Sequence, residues 1–247
     1  MERHDEAAQL LLRARRDPAQ RLTGLPEALR PRSEAEAYRI QAAVMAELGP
    51  IGGWKVGSPH PDGPINCSPL SASDIHDSPG RVAAGPGVAV EAEIAIRLGQ
   101  DLPPRAAPYT EAELLTAILG AHPAIEVLTS RFHDPDAVDP LSGLADSGGN
   151  GGLILGPAIP DWHSIGLADE TVRLLMDGRE VKACTGNPGG PMLRLLLWLA
   201  DTGAHWAGGL RAGQVVTTGS WTGKDEVAGG VVVRAEFGKC EAVEVRV

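Results

Sequence analysis

Apolar and polar residues alternate along residues 88–98 (VAVEAEIAIRL), and this period of two predicts a β-strand. The alternation puts Glu91 and Glu93 on one face of the strand, roughly 7 Å apart. Two unpaired carboxylates among apolar neighbours would repel each other and would be costly to desolvate. The pattern therefore predicts a positive partner between them, and two candidates stay open: a divalent cation with oxygen ligands, or Arg97 on the same face.

Helical patterns begin at recognisable capping residues. Capping boxes at 33–36 (SEAE) and 110–113 (TEAE) each precede a helical run. They predict one helix that ends at Gly49 and another that ends near Leu119. A third helix, largely buried, is predicted over residues 191–203, because proline lies near its start and glycine at its end.

Short apolar runs separated by turn residues predict strands through the rest of the chain. A hairpin is predicted at Asp177-Gly178, whereas 133–152, rich in Gly, Asp and Ser, predicts a long loop. The sequence thus predicts an α+β fold, with a helical N-terminal region at 1–50 and a β-rich catalytic domain at 51–247. Strands are expected at 88–98, 123–128, 153–155, 171–183, 214–219, 230–237 and 241–247.

Composition and charge limit the function more than the fold. The chain has 247 residues, a formal net charge of −10 and a pI of about 5.2, which argues against binding to nucleic acids or anionic membranes. Its three cysteines show no CxxC spacing, so neither a disulfide framework nor a thiolate zinc site is expected. The start is unlike a signal peptide and no apolar run approaches membrane-spanning length, which predicts a cytoplasmic protein.

A third acidic residue interrupts an apolar segment. Glu126 lies within 123–128 (PAIEVL), where a lone carboxylate is rarely buried without a partner. Together with the two strand glutamates it would offer three carboxylates, a donor set that suits Mg²⁺ or Mn²⁺. The alternative is that Glu126 forms an ion pair with Arg131 or Arg97.

Lys55 lies in 52–57 (GGWKVG), between glycines that let backbone approach a ligand closely. Its ammonium could hold an anionic substrate or move a proton, or it could simply reach solvent along a strand. The Gly-rich segment 146–152 could cradle an anion with its N–H groups or form a surface loop. Segment 217–222 (TTGSWT) could hydrogen-bond a carboxylate or be an ordinary strand exit. The sequence contains no motif of serine hydrolases or nucleotide enzymes.

Nine short segments, in order, resemble one known group. Together they are similar to the 2-keto-4-pentenoate hydratase / 4-oxalocrotonate decarboxylase group of the fumarylacetoacetate hydrolase superfamily. Each segment is short, but the ordered set is specific and covers most of residues 37–220. The segments are 37–41 (AYRIQ), 53–57 (GWKVG), 90–95 (VEAEIA), 123–131 (PAIEVLTSR), 145–150 (ADSGGN), 155–157 (LGP), 186–188 (GNP), 197–200 (LWLA) and 210–220 (LRAGQVVTTGS).

This resemblance implies a mixed β-roll core with a small helical N-terminal part, and a homo-oligomer. It implies a Mg²⁺ or Mn²⁺ ion bound by Glu91, Glu93 and Glu126. It also implies catalytic roles for Lys55 and Glu93, with Lys55 near the carboxylate and enol oxygens of the substrate.

The implied partner is a small 2-oxo or 2-hydroxy-dienoate acid. The implied activity is a metal-dependent hydratase that adds water to a 2-hydroxy-2,4-dienoate and gives a 4-hydroxy-2-oxo acid. Alternatives on the same scaffold are a 2-oxo-dienedioate decarboxylase, an acylpyruvate C–C hydrolase and a non-catalytic relative. The resemblance places the following residues around the substrate: Asn66, Asp146, Gly149 and Thr218.

Two departures from the group's pattern affect the substrate-binding residues. The group's hydratases often have an aspartate after the lysine motif, where this chain has Asn66, and an amide cannot transfer a proton as a carboxyl does. The group's Asp-Asn-Ala-Ser is here 146–149 (DSGG), so the serine is replaced by Gly149. The metal ligands are thus expected to be intact, whereas the residues that select the substrate are expected to differ.

Overall fold

The computed structural model describes residues 2–83, 87–163 and 170–247. Within these residues the fold consists of two mixed β-sheets and a few helices, which confirms the predicted α+β class. In the same residues no helix combines the length and the apolar character needed to cross a membrane.

Two helices form the N-terminal part. They are α1 (Arg3–Arg16) and α2 (Glu34–Leu48), and they pack against each other. The hydroxyl of Ser33 caps α2 by accepting a hydrogen bond from the Glu36 N–H at 3.3 Å, as the capping box predicts. Their apolar faces share a small core with Phe132. The division of the chain into a 1–50 region and a 51–247 domain stays a prediction.

The larger sheet places four distant parts of the chain side by side. Its central strands, β5 (Ala89–Leu98) and β6 (Ile118–Leu128), pair antiparallel. Strand β10 (Val215–Thr217) lies between β1 (Ile51–Gly57) and β5, parallel to the first and antiparallel to the second. The order is β2 (Asn66–Ser71), β1 (Ile51–Gly57), β10 (Val215–Thr217), β5 (Ala89–Leu98), β6 (Ile118–Leu128), β7 (Asn150–Leu155) and β3 (Ile75–Asp77), with β11 (Asp225–Glu226) also beside β5.

The smaller sheet covers one side of the larger one. Apolar residues of both sheets, among them Ile94, Ile125, Val233 and Val245, are fully buried and belong to one core cluster. The predicted hairpin at Asp177-Gly178 joins two of its strands, and both turn residues have positive φ. The order is β4 (Gly80–Arg81), β13 (Val243–Arg246), β12 (Val232–Phe237), β8 (Thr171–Met176) and β9 (Arg179–Thr185).

Two predicted segments differ from the observed elements. Helix α3 (Glu111–Ala117) begins at the predicted capping box, but it ends before Leu119 because Ile118 already pairs with Leu98 of β5. Tertiary strand pairing here overrides the local helical pattern. The predicted long loop at 133–152 contains α4 (Pro140–Ala145), whose first turn is capped by Asp139.

The third predicted helix is divided into two parts. Helix α5 (Met192–Trp198) is followed directly by a π-helical turn at Leu199–Gly203. At the end of this turn the carbonyl of Gly203 accepts a hydrogen bond from the buried Cys67 thiol at 3.5 Å. The predicted range of 191–203 is therefore helical over most of its length, with a change of helical type at residue 199.

Candidate metal centre and active site

Three carboxylates meet on the central pair of strands. Glu91 of β5 lies directly opposite Glu126 of β6, and Glu93 follows two residues later on the same face of β5. One oxygen from each carboxylate lies within 4.8 Å of the other two. Glu93 and Glu126 are each 1% exposed. These three residues form a compact group of acids, called the carboxylate cluster below.

Lys55 reaches the cluster from a neighbouring strand. It pairs with Thr217 of β10, which in turn pairs with Ala95 of β5. The Lys55 ammonium lies 2.6 Å from Glu126 Oε1, so it is directed into the site and not along the strand to solvent. The same oxygen accepts a hydrogen bond from the Asn150 side-chain amide at 2.8 Å.

The two arginines that the sequence left open as alternatives to a metal ion bind other groups. Arg97 donates a hydrogen bond to the carbonyl of Gly213 at 3.3 Å. Arg131 forms a buried ion pair with Asp146. The alternative in which an arginine neutralises the cluster is therefore wrong, and among the residues that the structure describes Lys55 is the cation that hydrogen-bonds to the cluster.

The end of β10 and the residues that follow it line the other side of the site. The backbone N–H of Gly219 donates a hydrogen bond to Glu93 Oε2 at 3.1 Å. Thr217 borders a cavity of about 230 Å³ together with Lys55 and the two β5 glutamates. Thr218 points the other way, and its hydroxyl donates to the Ile94 carbonyl at 3.0 Å. Of the two threonines it is thus Thr217, which the sequence reasoning missed, that borders this cavity.

Two amides also border the site. Asn66, the first residue of β2, lines the same 230 Å³ cavity. Asn187 lines it as well, and its side-chain amide donates a hydrogen bond to the Thr218 carbonyl at 2.7 Å. Asn187 lies in the GNP segment noted above and Asn150 in the ADSGGN segment, so the ordered segments were the signal that could have identified both.

The Gly-rich turn after α4 has one buried side and one side that borders a cavity. Asp146 is 3% exposed and its carboxylate binds Arg131 and the Ser130 hydroxyl, so this group supports the turn from inside. Residues Ser147, Gly148 and Gly149 all have positive φ, a conformation that glycine adopts at little cost. Gly149 borders a second, larger cavity of about 500 Å³.

Comparison with known proteins identifies the family. The model of the fumarylacetoacetate (FAA) hydrolase C-terminal domain matches residues 49–247. The chain belongs to the fumarylacetoacetate hydrolase family. Among solved structures of the same fold is the 4-oxalocrotonate decarboxylase of Pseudomonas putida G7 in complex with magnesium and adipate. It aligns with a TM-score of 0.86 and 21% identity over 98% of this chain and 96% of that chain. The predicted fold of this family is confirmed.

Curated relatives within the fumarylacetoacetate hydrolase family carry two kinds of name. The 2-keto-4-pentenoate hydratase of Burkholderia vietnamiensis is 37% identical over 136 residues, which are 53% of this chain and 49% of the relative. The match thus spans about half the length of that relative. The 2-keto-4-pentenoate hydratase 1 of Dechloromonas aromatica is 28% identical over 87% of this chain and 86% of its own. A 4-oxalocrotonate decarboxylase of Pseudomonas sp is 30% identical over 60% of this chain and 56% of its own.

The carboxylate cluster of this family member fits a divalent cation. Glu126 Oε2 is buried and has no hydrogen-bond partner, although a buried carboxylate oxygen normally has one. Octahedral Mg²⁺ holds oxygen ligands at about 2.1 Å, so two ligands lie at most about 4.2 Å apart, close to the observed spacing of the cluster. Three hard oxygen donors with no nitrogen or sulfur favour Mg²⁺ or Mn²⁺ over softer metals.

Burial and mutual repulsion raise the pKa of the acids. Burial and the nearby Glu126 carboxylate raise the pKa of Glu91 to about 7. Burial, followed by Glu126 and Glu91, raises the pKa of Glu93 well above its usual value. Burial alone would lower the pKa of Lys55, but Glu126 and the other two carboxylates raise it above its usual value. Three close carboxylates beside one ammonium thus favour the protonated forms of Glu91 and Glu93 when no metal ion is bound.

Without metal, we expect the protein to lose stability as pH rises. Glu91 titrates near 4.5 when unfolded and near 7 when folded, so the folded state binds its proton more tightly and stability falls across this window. The loss for Glu91 alone is on the order of 3 kcal/mol, or roughly 6–12 °C in Tm for a chain of this size. Thermal unfolding of metal-free protein between pH 5 and 8 measures it.

The Glu91→Gln variant is the control for this measurement, because it should flatten the decline while leaving other titrating groups in place. Added Mg²⁺ should restore Tm at pH 8 in the wild type. A metal-free protein that becomes more stable from pH 5 to 8 would contradict the expectation.

Helix α1 supports the cluster through Asn150. Arg15 donates to the Asn150 carbonyl at 3.2 Å and binds Asp74 Oδ2 at 2.6 Å. Because the Asn150 amide holds Glu126, we expect Arg15→Met to weaken metal binding about tenfold, as loss of an outer-sphere contact does. Titration calorimetry with Mn²⁺ measures this, with the exposed Arg13→Met as the matched control. Unchanged affinity with only a lower Tm would limit Arg15 to a structural role.

Proposed function

We propose that this protein is a divalent-metal-dependent hydratase of a 2-hydroxy-2,4-dienoate. The single observation that carries the proposal is the meeting of three buried carboxylates with one lysine: the cluster oxygens lie within 4.8 Å of one another and Lys55 lies 2.6 Å from one of them. Relatives named 2-keto-4-pentenoate hydratase, at 28–37% identity, support the choice of substrate class.

Glu91, Glu93 and Glu126 would hold a Mg²⁺ or Mn²⁺ ion. When bound, the cation would supply a Lewis acid beside the carboxylate and 2-oxygen of the substrate. The Gly219 N–H holds Glu93 and the Asn150 amide holds Glu126, so two of the three ligands are oriented by neighbouring donors.

Lys55 is the group best placed to bind the substrate and move a proton. Its ammonium faces the cluster and is 21% exposed at the side chain, so a substrate that enters the site can contact it. Its ammonium can donate a hydrogen bond to the 2-oxygen of the substrate, and its neutral amine can take the proton that this oxygen loses as the double bonds shift. Asn66 and Thr217 border the same cavity and can position a carboxylate or a water by hydrogen bonds.

The overall reaction balances with water alone. A 2-hydroxy-2,4-dienoate first takes its keto form, in which the hydroxyl proton moves to the distal carbon and a 3-ene remains. Water then adds across that double bond, with hydroxyl at C4 and hydrogen at C3, and gives the 4-hydroxy-2-oxo acid. No oxidant, reductant or second substrate is required.

A decarboxylase is the second candidate, favoured by the 30% identity to a 4-oxalocrotonate decarboxylase over 159 residues. The two reactions share stabilisation of the same enolised 2-oxo acid, and they differ in whether the distal group is lost as CO₂. An acylpyruvate C–C hydrolase and a non-catalytic relative remain further alternatives, and assembly into a homo-oligomer stays a prediction.

Proton NMR of the purified protein with 2-hydroxypenta-2,4-dienoate tests the proposal. With Mg²⁺ we expect 4-hydroxy-2-oxopentanoate to appear, and with excess EDTA we expect none. A parallel sample with 2-oxo-hex-3-enedioate reports decarboxylation through release of CO₂. If neither compound changes in the Mg²⁺-loaded protein, both lyase assignments are wrong.

A further inference from the structure

The larger of the two cavities described above begins one pair of facing strand residues beyond the carboxylate cluster. Glu91 lies opposite Glu126, and on the same two strand faces the next pair is Ala89 opposite Leu128. Residues two apart on a strand lie roughly 7 Å apart. Ala89 and Leu128 both line the 500 Å³ cavity, so the cluster is within reach of a ligand that extends into it. This space is called the distal cavity below.

A glycine turn lies between Lys55 and the distal cavity. Gly148 and Gly149 line the cavity, and a Cβ on Gly148 would lie 3.3 Å from the Lys55 ammonium nitrogen. A Cβ on Gly149 would instead face Ser130 at 3.5 Å. Glycine at position 148 therefore keeps the space beside the Lys55 ammonium free of a side chain on the side of the turn that borders the cavity.

Acidic residues outnumber basic ones in the lining of the distal cavity, and some of its charged groups are already paired. Lys224 contacts both oxygens of Asp136 at 2.8 and 2.9 Å, and Asp146 is held by Arg131. The lining contains four Asp or Glu residues against two Lys or Arg residues and one histidine. A second carboxylate at this end of a substrate would therefore meet more negative than positive charge.

Much of the remaining wall is apolar, with Ser130 and His133 also in the lining, and the volume is large. Leu128, Phe132, Pro135 and Val138 contribute to the lining. A volume of about 500 Å³ lies within the usual range for pockets that bind drug-sized ligands. The vinyl end of a five-carbon acid would fill a small part of it.

From this cavity we infer that the substrate is a 2-hydroxy-2,4-dienoate monoacid whose distal substituent is an uncharged alkyl or aryl group. The reacting end lies at Lys55 and the carboxylate cluster, and the substituent lies in the distal cavity. The inference rests on the proposed function. It defines the substrate class more narrowly than the proposed function does. It also favours hydration of a monoacid over decarboxylation of a dioate.

Competing dienoates test the inference in the Mg²⁺-loaded protein. We expect kcat/KM for 2-hydroxyocta-2,4-dienoate to equal or exceed that for 2-hydroxypenta-2,4-dienoate, and to exceed that for 2-hydroxyhexa-2,4-dienedioate at least tenfold. A preference for the dioate, or a tenfold preference for the five-carbon acid over the eight-carbon acid, would overturn it.

A pair of glycine variants locates the substituent. Gly143 lines the distal cavity and a Cβ there meets nothing within 4 Å, so Gly143→Leu should fill space without forcing the backbone. We expect it to lower kcat/KM for the eight-carbon acid at least fivefold more than for the five-carbon acid. Gly120 has equally open surroundings and lies outside the cavity, so Gly120→Leu should leave the ratio unchanged. An unchanged ratio in Gly143→Leu would overturn the placement.

Binding of unreactive 2-oxo acids separates failure of the inference from failure of the proposed function. If no dienoate is turned over, the proposed hydratase is wrong, and calorimetric titration still reports on the cavity. We then expect 2-oxooctanoate to bind at least fivefold more tightly than 2-oxopentanoate or 2-oxohexanedioate. Equal affinities, or tighter binding of the dioate, would overturn the inference whether or not catalysis is observed.

Discussion

Replacement of Glu93 by glutamine should abolish metal binding and lower turnover at least a thousandfold, while metal-free protein should unfold at the same or a higher temperature. Glu93 is 1% exposed, and burial and its two acidic neighbours raise its pKa. Removing one of three mutually repelling carboxylates should stabilise the metal-free fold, because a buried group beside like charges is costly. The same change removes a ligand that the cation needs. Titration with Mn²⁺ and thermal unfolding in EDTA measure both effects.

An exposed acid supplies the control for Glu93. Glu241 lies at the surface, away from the cluster, and Glu241→Gln should leave metal binding, turnover and Tm unchanged. Loss of the fold in Glu93→Gln, combined with a wild type that binds no Mn²⁺, would show that the cluster is an ion-paired structural element. Full turnover in Glu93→Gln would remove the cluster from the reaction.

Replacement of Lys55 by methionine should leave metal binding in place and lower turnover about 10²–10⁴-fold, the range over which a positioned acid or base contributes. Lys55 is 2.6 Å from Glu126 and is not itself a metal ligand. Without Lys55 the carboxylate cluster loses the ammonium that hydrogen-bonds to it in the metal-free protein. We therefore expect Lys55→Met to lower Tm in EDTA and to recover most of this loss on addition of Mg²⁺.

The recovery by metal distinguishes a chemical role from a structural one. Lys239→Met is the matched control, because Lys239 is 57% exposed and 3.8 Å from its nearest acid, outside the site. A kcat within threefold of the wild type in Lys55→Met would exclude Lys55 from the proton transfer. A Tm deficit that metal does not reduce would show that Lys55 acts mainly as support for Glu126.

Alternation along one strand was enough to predict which acids share a face, but it could not identify their cation. Period two places Arg97 on the same face as Glu91 and Glu93, and the sequence left it open as a partner. In the fold Arg97 pairs with Val215 at the far end of β5 and bonds to Gly213. Lys55 reaches the cluster only because β10 pairs in parallel with β1, a contact between residues about 160 positions apart. No local pattern encodes such a pairing.

Local signals likewise predicted where elements begin better than where they end. Thr110 caps α3 with its hydroxyl and Glu113 completes the capping box, so the start was predictable from four residues. The end of α3 depends on the pairing of Ile118 with Leu98, which is a tertiary contact. In the Gly-rich turn, the partner of Asp146 was unpredictable for the same reason, since Arg131 lies fifteen positions before it and reaches it only in the folded turn.

The order of strands in the larger sheet has a consequence for synthesis on the ribosome. The three acids of the cluster lie on the β5–β6 pair, so they can meet as soon as residue 128 has emerged. Lys55 is made earlier, but β1 is joined to β5 only through β10 (Val215–Thr217). The acids therefore leave the ribosome roughly ninety residues before the strand that brings Lys55 beside them, so charge compensation by Lys55 within the site waits until β10 has been made.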